Sequence, residues 1–175
     1  MRPLRLMFVA VLLTSAAFSQ VSSNNPPMDM SRTASSYVDG SQHPELVPDN
    51  VAYRLFFVAV AQEPNPAADK EAVQNAQLLK LGFSAKDMES TKRVLEDFKV
   101  QYDNLVSRFN DSSQVAMQAG DAADYSAFSS QADALVAYTR EKLKQRVSAD
   151  AMHKLDLLVQ SEKSNMKMVR TTRAH

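Results

Sequence analysis

Few residues in this sequence are able to carry out chemistry. The 175-residue chain has no cysteine and three histidines, His43, His153 and the terminal His175. It contains no Gly-x-Ser-x-Gly turn, and its three glycines are too widely spaced for a phosphate-binding loop. Nucleophilic catalysis and phosphoryl transfer therefore lack their usual sequence features. We predict a protein that is not an enzyme and needs no cofactor.

Methionine and histidine side chains offer a different chemistry, because thioether and imidazole groups are ligands that suit Cu(I). Met152 and His153 are adjacent, and Met166 and Met168 follow on what we predict to be the same last helix. Methionine also fills gaps in apolar cores, which is the alternative role for these residues. One functional prediction is therefore a periplasmic copper-type accessory protein that uses these four residues as ligands.

Two long segments place an apolar side chain at every third or fourth position. The third predicted helix begins at Ser84 and ends near Asn110 or at Gly120, and the fourth follows Gly120. This spacing predicts two long antiparallel helices that meet along a coiled-coil-like seam. Aromatic residues on the seam either fill the core or bind a partner where the seam is exposed. The residues proposed for partner binding are Phe98, Tyr102, Phe109, Tyr125 and Phe128.

The most apolar segment after the N-terminus runs from Val51 to Ala61, and Arg54 is its only charged residue. Pro48 and Asp49 form a helix start, and no second segment offers a strand to pair with it. We therefore predict a buried first helix. A charge inside such a helix needs a partner, and we predict a structural clamp between Arg54 and the upstream carboxylates Glu45 and Asp49.

Helix caps complete the predicted architecture. Asn65-Pro66 is the predicted start of the second helix, and Ser148 caps the fifth. The fold class is all-α, a four- to five-helix bundle with two long antiparallel helices and a buried apolar first helix. We predict a helical domain over residues 41–168. A disordered leader over residues 20–40 precedes it, and a flexible tail over residues 169–175 follows it.

The N-terminus predicts export. Residues 1–19 combine Arg2 and Arg5 with a short apolar run and a small-residue cleavage region, which is typical of a signal peptide cleaved after Ser19 or Ala17. The apolar run is too short to span a bilayer, so no stable membrane span is expected once the signal is removed. A domain of this size without cysteine favours a bacterial periplasmic or secreted protein over a secreted animal protein.

Charge is divided unevenly along the chain. Residues 20–139 hold 9 basic and 16 acidic residues, whereas residues 140–175 hold 9 basic and 4 acidic residues. This asymmetry could attract an acidic partner or bring two copies together antiparallel, and basic residues also suit helix C-termini. The slightly acidic exported chain has no basic-aromatic motif, so nucleic-acid binding is not expected. The expected partner is another protein or a second copy of the chain.

Two helix starts carry a family resemblance. Phe83-Ser84-Ala85-Lys86-Asp87 and Val147-Ser148-Ala149-Asp150-Ala151 both place an apolar residue before a hydroxyl cap. Each resembles a degenerate Leu-Thr-x-x-Gln element, which occurs twice in the periplasmic Spy/CpxP group of stress chaperones and related metal-resistance sensors. In its overall pattern the chain is also similar to secreted helical proteins of bacteria for which no activity is implied. The resemblance implies an exported helical binding protein, chaperone-like or active in envelope interactions.

Overall fold

The computed structural model describes residues 33–61 and 69–173. Within them the chain folds as five α-helices and one two-stranded antiparallel ribbon, which confirms the predicted all-α bundle. The predicted signal peptide and most of the leader lie outside the described residues. The elements in chain order are β1 (Thr33–Asp39), a 3₁₀ turn (Pro44–Leu46), α1 (Asp49–Ala61), α2 (Lys70–Lys80), α3 (Ala85–Ala119), α4 (Tyr125–Arg146), α5 (Ala149–Lys163) and β2 (Lys167–Arg173).

Helix α1 lies at the centre of the bundle and contacts the four other helices. Its first turn carries Asp49, and the Pro48 carbonyl accepts hydrogen bonds from the amides of Val51 and Ala52. Tyr53 and Phe57 are 1% and 0% exposed and belong to the main hydrophobic core. The predicted buried first helix is confirmed, although Leu55 on its outer side remains exposed.

Helices α3 and α4 form the long antiparallel pair that the seam predicted. The Ser84 side chain caps α3, which continues to Ala119 and ends at Gly120, where φ is +80°. The longer of the two predicted ends is therefore the observed one, because Gly120 supplies the left-handed conformation that closes the helix. At 1.5 Å per residue, α3 is about 52 Å long and α4 about 33 Å.

Two predicted helix boundaries need correction. Helix α2 begins at Lys70 with Asp69 as its N-cap, whereas the predicted start at Asn65-Pro66 lies outside the described residues. Helix α5 begins as predicted, with Ser148 accepting a hydrogen bond from the Ala151 amide. It ends at Lys163, so Met166 follows the helix instead of lying on it.

The ribbon corrects the predicted leader and tail. Residues 33–39 of the leader pair with residues 167–173, which include most of the predicted tail, and Val38 lies opposite Met168. The prediction was wrong here because the pairing joins residues more than 120 positions apart, and local composition does not report such contacts. Gly40 ends the ribbon, and its amide donates to the Met166 carbonyl at 2.8 Å. A Cβ there would lie 1.9 Å from the Lys163 carbonyl oxygen, so this close approach requires glycine.

Candidate partner-binding site

A continuous row of aromatic rings runs from the core toward the far end of the α3–α4 pair. Phe57 contacts Phe98, with ring centroids 5.3 Å apart, and Phe98 stacks on Tyr102 at 5.4 Å. Tyr102 then meets Phe128 at 6.4 Å. Aromatic contacts of this kind contribute about 0.5–1.5 kcal/mol each beyond the area they bury. The row therefore connects the buried core to the exposed end of the hairpin.

We name the outer part of this row the distal aromatic cluster, which consists of Tyr102, Phe109, Tyr125 and Phe128. Phe109 and Phe128 are 4.8 Å apart between ring centroids, and Tyr125 contacts both rings at 6.1 and 5.7 Å. Tyr125 is 57% exposed, and the other three residues are half-buried. The cluster is thus an apolar surface that the described chain covers only in part.

One predicted partner-binding residue does not belong to this surface. Phe98 is 1% exposed and packs inside the core. The sequence could not separate it from the other four, because all five occupy the same side of their helices. Whether such a residue is exposed depends on how far along α3 the neighbouring helices extend.

The cluster is exposed because the bundle covers only one end of the hairpin. The last buried residue of α3 is Leu105, and the first buried residue of α4 is Ala132. None of residues 106–131, which we name the distal arm, is buried. Val115 and Met117 in this arm are 67% and 75% exposed. The arm therefore projects beyond the core as a two-helix hairpin.

Arg54 lies at the border between the core and the cluster. Its Nη1 atom is buried and has no hydrogen-bond partner among the described residues. Burial raises the pKa of Tyr102, and the positive charge of Arg54 acts in the opposite direction. A buried donor without a partner is costly, so Arg54 lowers the stability of the bundle at this border.

The predicted clamp between Arg54, Glu45 and Asp49 is corrected. Glu45 pairs with His43, whose Nδ1 lies 3.1 Å from Oε1 of the glutamate. Asp49 instead forms an ion pair with Lys163, and hydrogen bonding from this lysine lowers the pKa of Asp49. The first turn of α1 is therefore clamped to the end of α5, an element more than 100 residues away in the sequence.

A second polar contact lies beside this ion pair, one turn along α1. The Tyr53 hydroxyl donates to Asp156, and the Arg140 guanidinium lies 4.4 Å from the centre of the Tyr53 ring. Arg140 also lies 3.4 Å from Asp156. Burial, followed by the hydrogen bond to Asp156, raises the pKa of Tyr53 above its usual value. A tyrosine kept protonated in this way serves as a structural donor joining α1, α4 and α5.

The two helix starts that carry the family resemblance lie side by side. Asp87, in the first turn of α3, accepts from the Ser84 hydroxyl at 2.6 Å and from the Ser148 amide at 2.7 Å. The Ser148 hydroxyl also donates to Asp87, at 3.0 Å. These bonds lower the pKa of Asp87, with the Ser84 hydrogen bond as the largest cause. A single carboxylate thus ties the N-termini of α3 and α5 together.

The four predicted metal-ligating residues lie in different environments in the structure. Met152 is buried in the core, whereas its neighbour His153 is exposed. Met166 packs against the core, and Met168 lies in β2 opposite Val38. The described residues contain no group of three or more His, Asp or Glu side chains suited to hold a metal ion. Packing accounts for the positions of Met152 and Met166.

A groove on another side of the α3–α4 hairpin was not predicted from the sequence. Lys142 and Arg146 line a groove of about 210 Å³ between α3 and α4. Their signal in the sequence was the excess of basic residues after position 140. From the sequence, these basic residues suggested an acidic partner, antiparallel association of two copies, or helix-dipole stabilisation, but not this groove. The sequence did indicate that Arg54 would be unusual, because it is the only charged residue in an apolar run.

The fold and the site define a helical bundle with a projecting aromatic hairpin. Among the described helices, none combines the length and apolar character that a membrane crossing requires. Comparison of the chain with protein-family models, curated proteins and solved structures found no match.

Proposed function

We propose that this protein is an exported, non-enzymatic helical binding protein of the bacterial periplasm or secreted fraction. In this proposal it holds other protein chains through the distal aromatic cluster, in a chaperone-like role or an envelope interaction. The observation that carries the proposal is the uncovered cluster formed by Phe109, Tyr125 and Phe128 on the distal arm. Exposed aromatic side chains that are already ordered are effective contact residues, because little rotamer freedom is lost on binding.

A protein partner would meet the cluster beside Arg54, whose charge acts on Tyr102. Apolar side chains of the partner would then cover Tyr102 and Phe128.

The copper-type accessory function remains the alternative. It would use Met152, His153, Met166 and Met168, but the structure gives no specific support to that set. The signal peptide and the resemblance to periplasmic stress chaperones support export and chaperone-like binding as expectations from sequence.

The test is aggregation of a chemically denatured client protein, followed by light scattering. We expect wild-type protein to delay aggregation, and Phe109→Ser/Tyr125→Ser to need about tenfold more protein for the same delay, the factor that 1.4 kcal/mol corresponds to. Leu157→Ser is the matched control, since Leu157 is 57% exposed on α5, away from the cluster. The proposal fails if wild type gives no delay, or if the double variant protects as well as wild type while its circular dichroism is unchanged.

A further inference from the structure

The α3–α4 hairpin has a second surface, on a different side from the one packed against α1. On α3 it follows residues 86, 90, 93, 97, 101, 104 and 108, and on α4 residues 146, 142, 138, 135 and 131. Steps of three and four keep these residues on one face of each helix. Two grooves lie along this face, of about 210 Å³ near the core and about 680 Å³ halfway to the tip. We name this surface the outer hairpin face.

The core end of the outer hairpin face is basic. Its groove is lined by four cationic side chains, together with Glu89 and Asp97. Arg93 lies 3.0 Å from Glu89, and Lys142 lies 3.5 Å from Asp97. These two carboxylates balance two of the cations, which leaves a net charge of +2. The four cationic residues are Lys86, Arg93, Lys142 and Arg146.

The tip end of the hairpin is acidic. Asp111 lies seven residues after Asn104 and so on the same face of α3, and Asp121 and Asp124 follow at the turn into α4. Arg108 is the only basic residue of the distal arm, which therefore has a net charge of −2. The two ends of one surface carry opposite charge.

Exposed apolar side chains lie between and beyond the two charged ends. Val100 is 59% exposed, Tyr138 is 52% exposed and Val115 is 67% exposed. Val100 and Val115 stand on the outer side of α3, since they lie seven residues after Arg93 and Arg108 respectively. Tyr138 lines the middle groove with Gln101 and Gln131. These side chains add apolar contact area to a face whose two ends are charged.

We infer that the partner on this face is a second copy of the chain, packed antiparallel with the tip of each copy against the basic end of the other. A two-fold axis near Gln101 would bring Lys86 of one copy next to Val115 of the other, because both lie about 15 residues from that point. The same charge contact then forms twice, as a two-fold interface requires. A partner with a single charge sign would match only one end.

The size of the face agrees with a stable dimer. From Lys86 to Val115 the face is about 43 Å long at 1.5 Å per residue. Two packed helices are roughly 20 Å wide. The resulting area of roughly 850 Å² is comparable with the ~800 Å² per partner that specific interfaces bury. The dimer would be a bundle of four long helices, and the distal aromatic cluster would stay outside it. The inference therefore does not rest on the proposed function.

Charge reversal tests this arrangement, with mass measured by sedimentation velocity. We expect wild type to be a dimer at about 50 mM salt and to dissociate toward monomer near 0.5 M salt, because salt screens the end-to-end attraction. Lys142→Glu/Arg146→Glu makes both ends acidic, and Asp111→Lys/Asp121→Lys makes both ends basic. Each variant alone should raise the dimer Kd at least about tenfold. Mixed together they should form a heterodimer, because each end then meets an opposite charge.

The matched control is Lys80→Glu, since Lys80 is exposed on α2 and lines neither groove. It should dimerise like wild type. The inference is overturned if wild type is monomeric at all concentrations, if either reversed variant dimerises as wild type does, or if the mixture forms no heterodimer. Circular dichroism of each variant establishes that a loss of dimer is not a loss of fold.

Discussion

At the scale of the residue, Lys163 shows how a charge is held inside this protein. Its side chain is 7% exposed, whereas that of its partner Asp49 is 44% exposed. Gln160 donates a second hydrogen bond to Asp49 at 3.3 Å. The lysine charge therefore depends on its partner more than the aspartate charge does. The lysine has little contact with bulk water to replace its partner, but the aspartate can be hydrated.

This inequality predicts an asymmetric response to mutation. Asp49→Ala should cost about 3 kcal/mol of unfolding free energy, because it leaves a buried ammonium unpaired. Lys163→Met should cost about 1 kcal/mol, because the remaining carboxylate is half exposed. The double variant should be more stable than Asp49→Ala alone, as the buried charge is then absent. Urea denaturation followed by circular dichroism measures all three.

Lys144→Met serves as the comparison for these variants, since Lys144 is exposed and pairs with Glu141 within one helix. Its effect on the unfolding free energy should be close to zero. Equal losses for Asp49→Ala and Lys163→Met would contradict the structural role assigned to the pair.

At the scale of the element, Asp87 joins the N-terminus of its own helix to that of α5 through Ser148, which lies 61 residues further along the sequence. Its carboxylate completes the Ser84 cap of α3 and also binds the amide and hydroxyl of Ser148, the cap of α5. Caps are usually local, within one helix. Here the ionised form of one side chain serves two helices, so the docking of α5 against α3 is linked to the protonation of Asp87.

The pH dependence of stability follows from this linkage. The pKa of Asp87 is lower in the folded protein than its usual value, mainly through the Ser84 hydrogen bond. The unfolded chain therefore takes up the proton first as the pH falls. The stabilisation is fully present above about pH 5 and is lost as the pH falls through the folded pKa, below about 4.

We expect Asp87→Asn to lower the unfolding free energy by about 1–3 kcal/mol at pH 7. The difference from wild type should shrink as the pH is lowered from 5 to about 3. Urea denaturation at a series of pH values measures this difference in unfolding free energy. Glu96→Gln, an exposed change on the same helix, should show no such convergence. A gap between wild type and Asp87→Asn that stays constant down to pH 3 would contradict the linkage.

At the scale of the whole molecule, stability is concentrated at one end. The core cluster joins α1, α2, α4 and α5 to the first half of α3, whereas none of the residues of the distal arm is buried. Regions with few buried contacts open locally at lower free energy than the core. The protein thus combines a rigid base with an arm held by the contacts between its two helices.

Hydrogen exchange should reveal this gradient within one continuous helix. Amides of residues 106–119 are expected to exchange faster than those of residues 91–105, because only the latter segment carries buried side chains. The measurement is mass spectrometry of exchanged peptides at high salt, where the proposed dimer is dissociated. Uniform protection along α3 under those conditions would show that the arm is covered.

The sequence predicted the helices better than it predicted the contacts between distant parts of the chain. The caps at Ser84 and Ser148 are local signals that predicted where α3 and α5 begin, and Gly120 is the later of the two predicted ends of α3. The partner of Arg54, the burial of Phe98 and the strand over residues 33–39 depend on chain segments far away. For that common reason the predicted partners of Arg54 and the predicted disorder of residues 33–39 were wrong, and the sequence could not decide that Phe98 fills the core instead of binding a partner. Of the candidate site, Tyr102, Phe109, Tyr125 and Phe128 were predicted, and the outer hairpin face was not.

The sequence by itself therefore determined that this is a helical bundle, where most of its helices begin and end, and which residues are aromatic and apolar along the seam. These properties follow from backbone sterics, capping and periodicity, which act over a few residues. Only the tertiary structure decided that Asp49 pairs with Lys163, that Asp87 joins two helices, and that the seam emerges from the core after Leu105. Each of these depends on the lengths and docking of separate helices, because a side chain is buried only where another element reaches it.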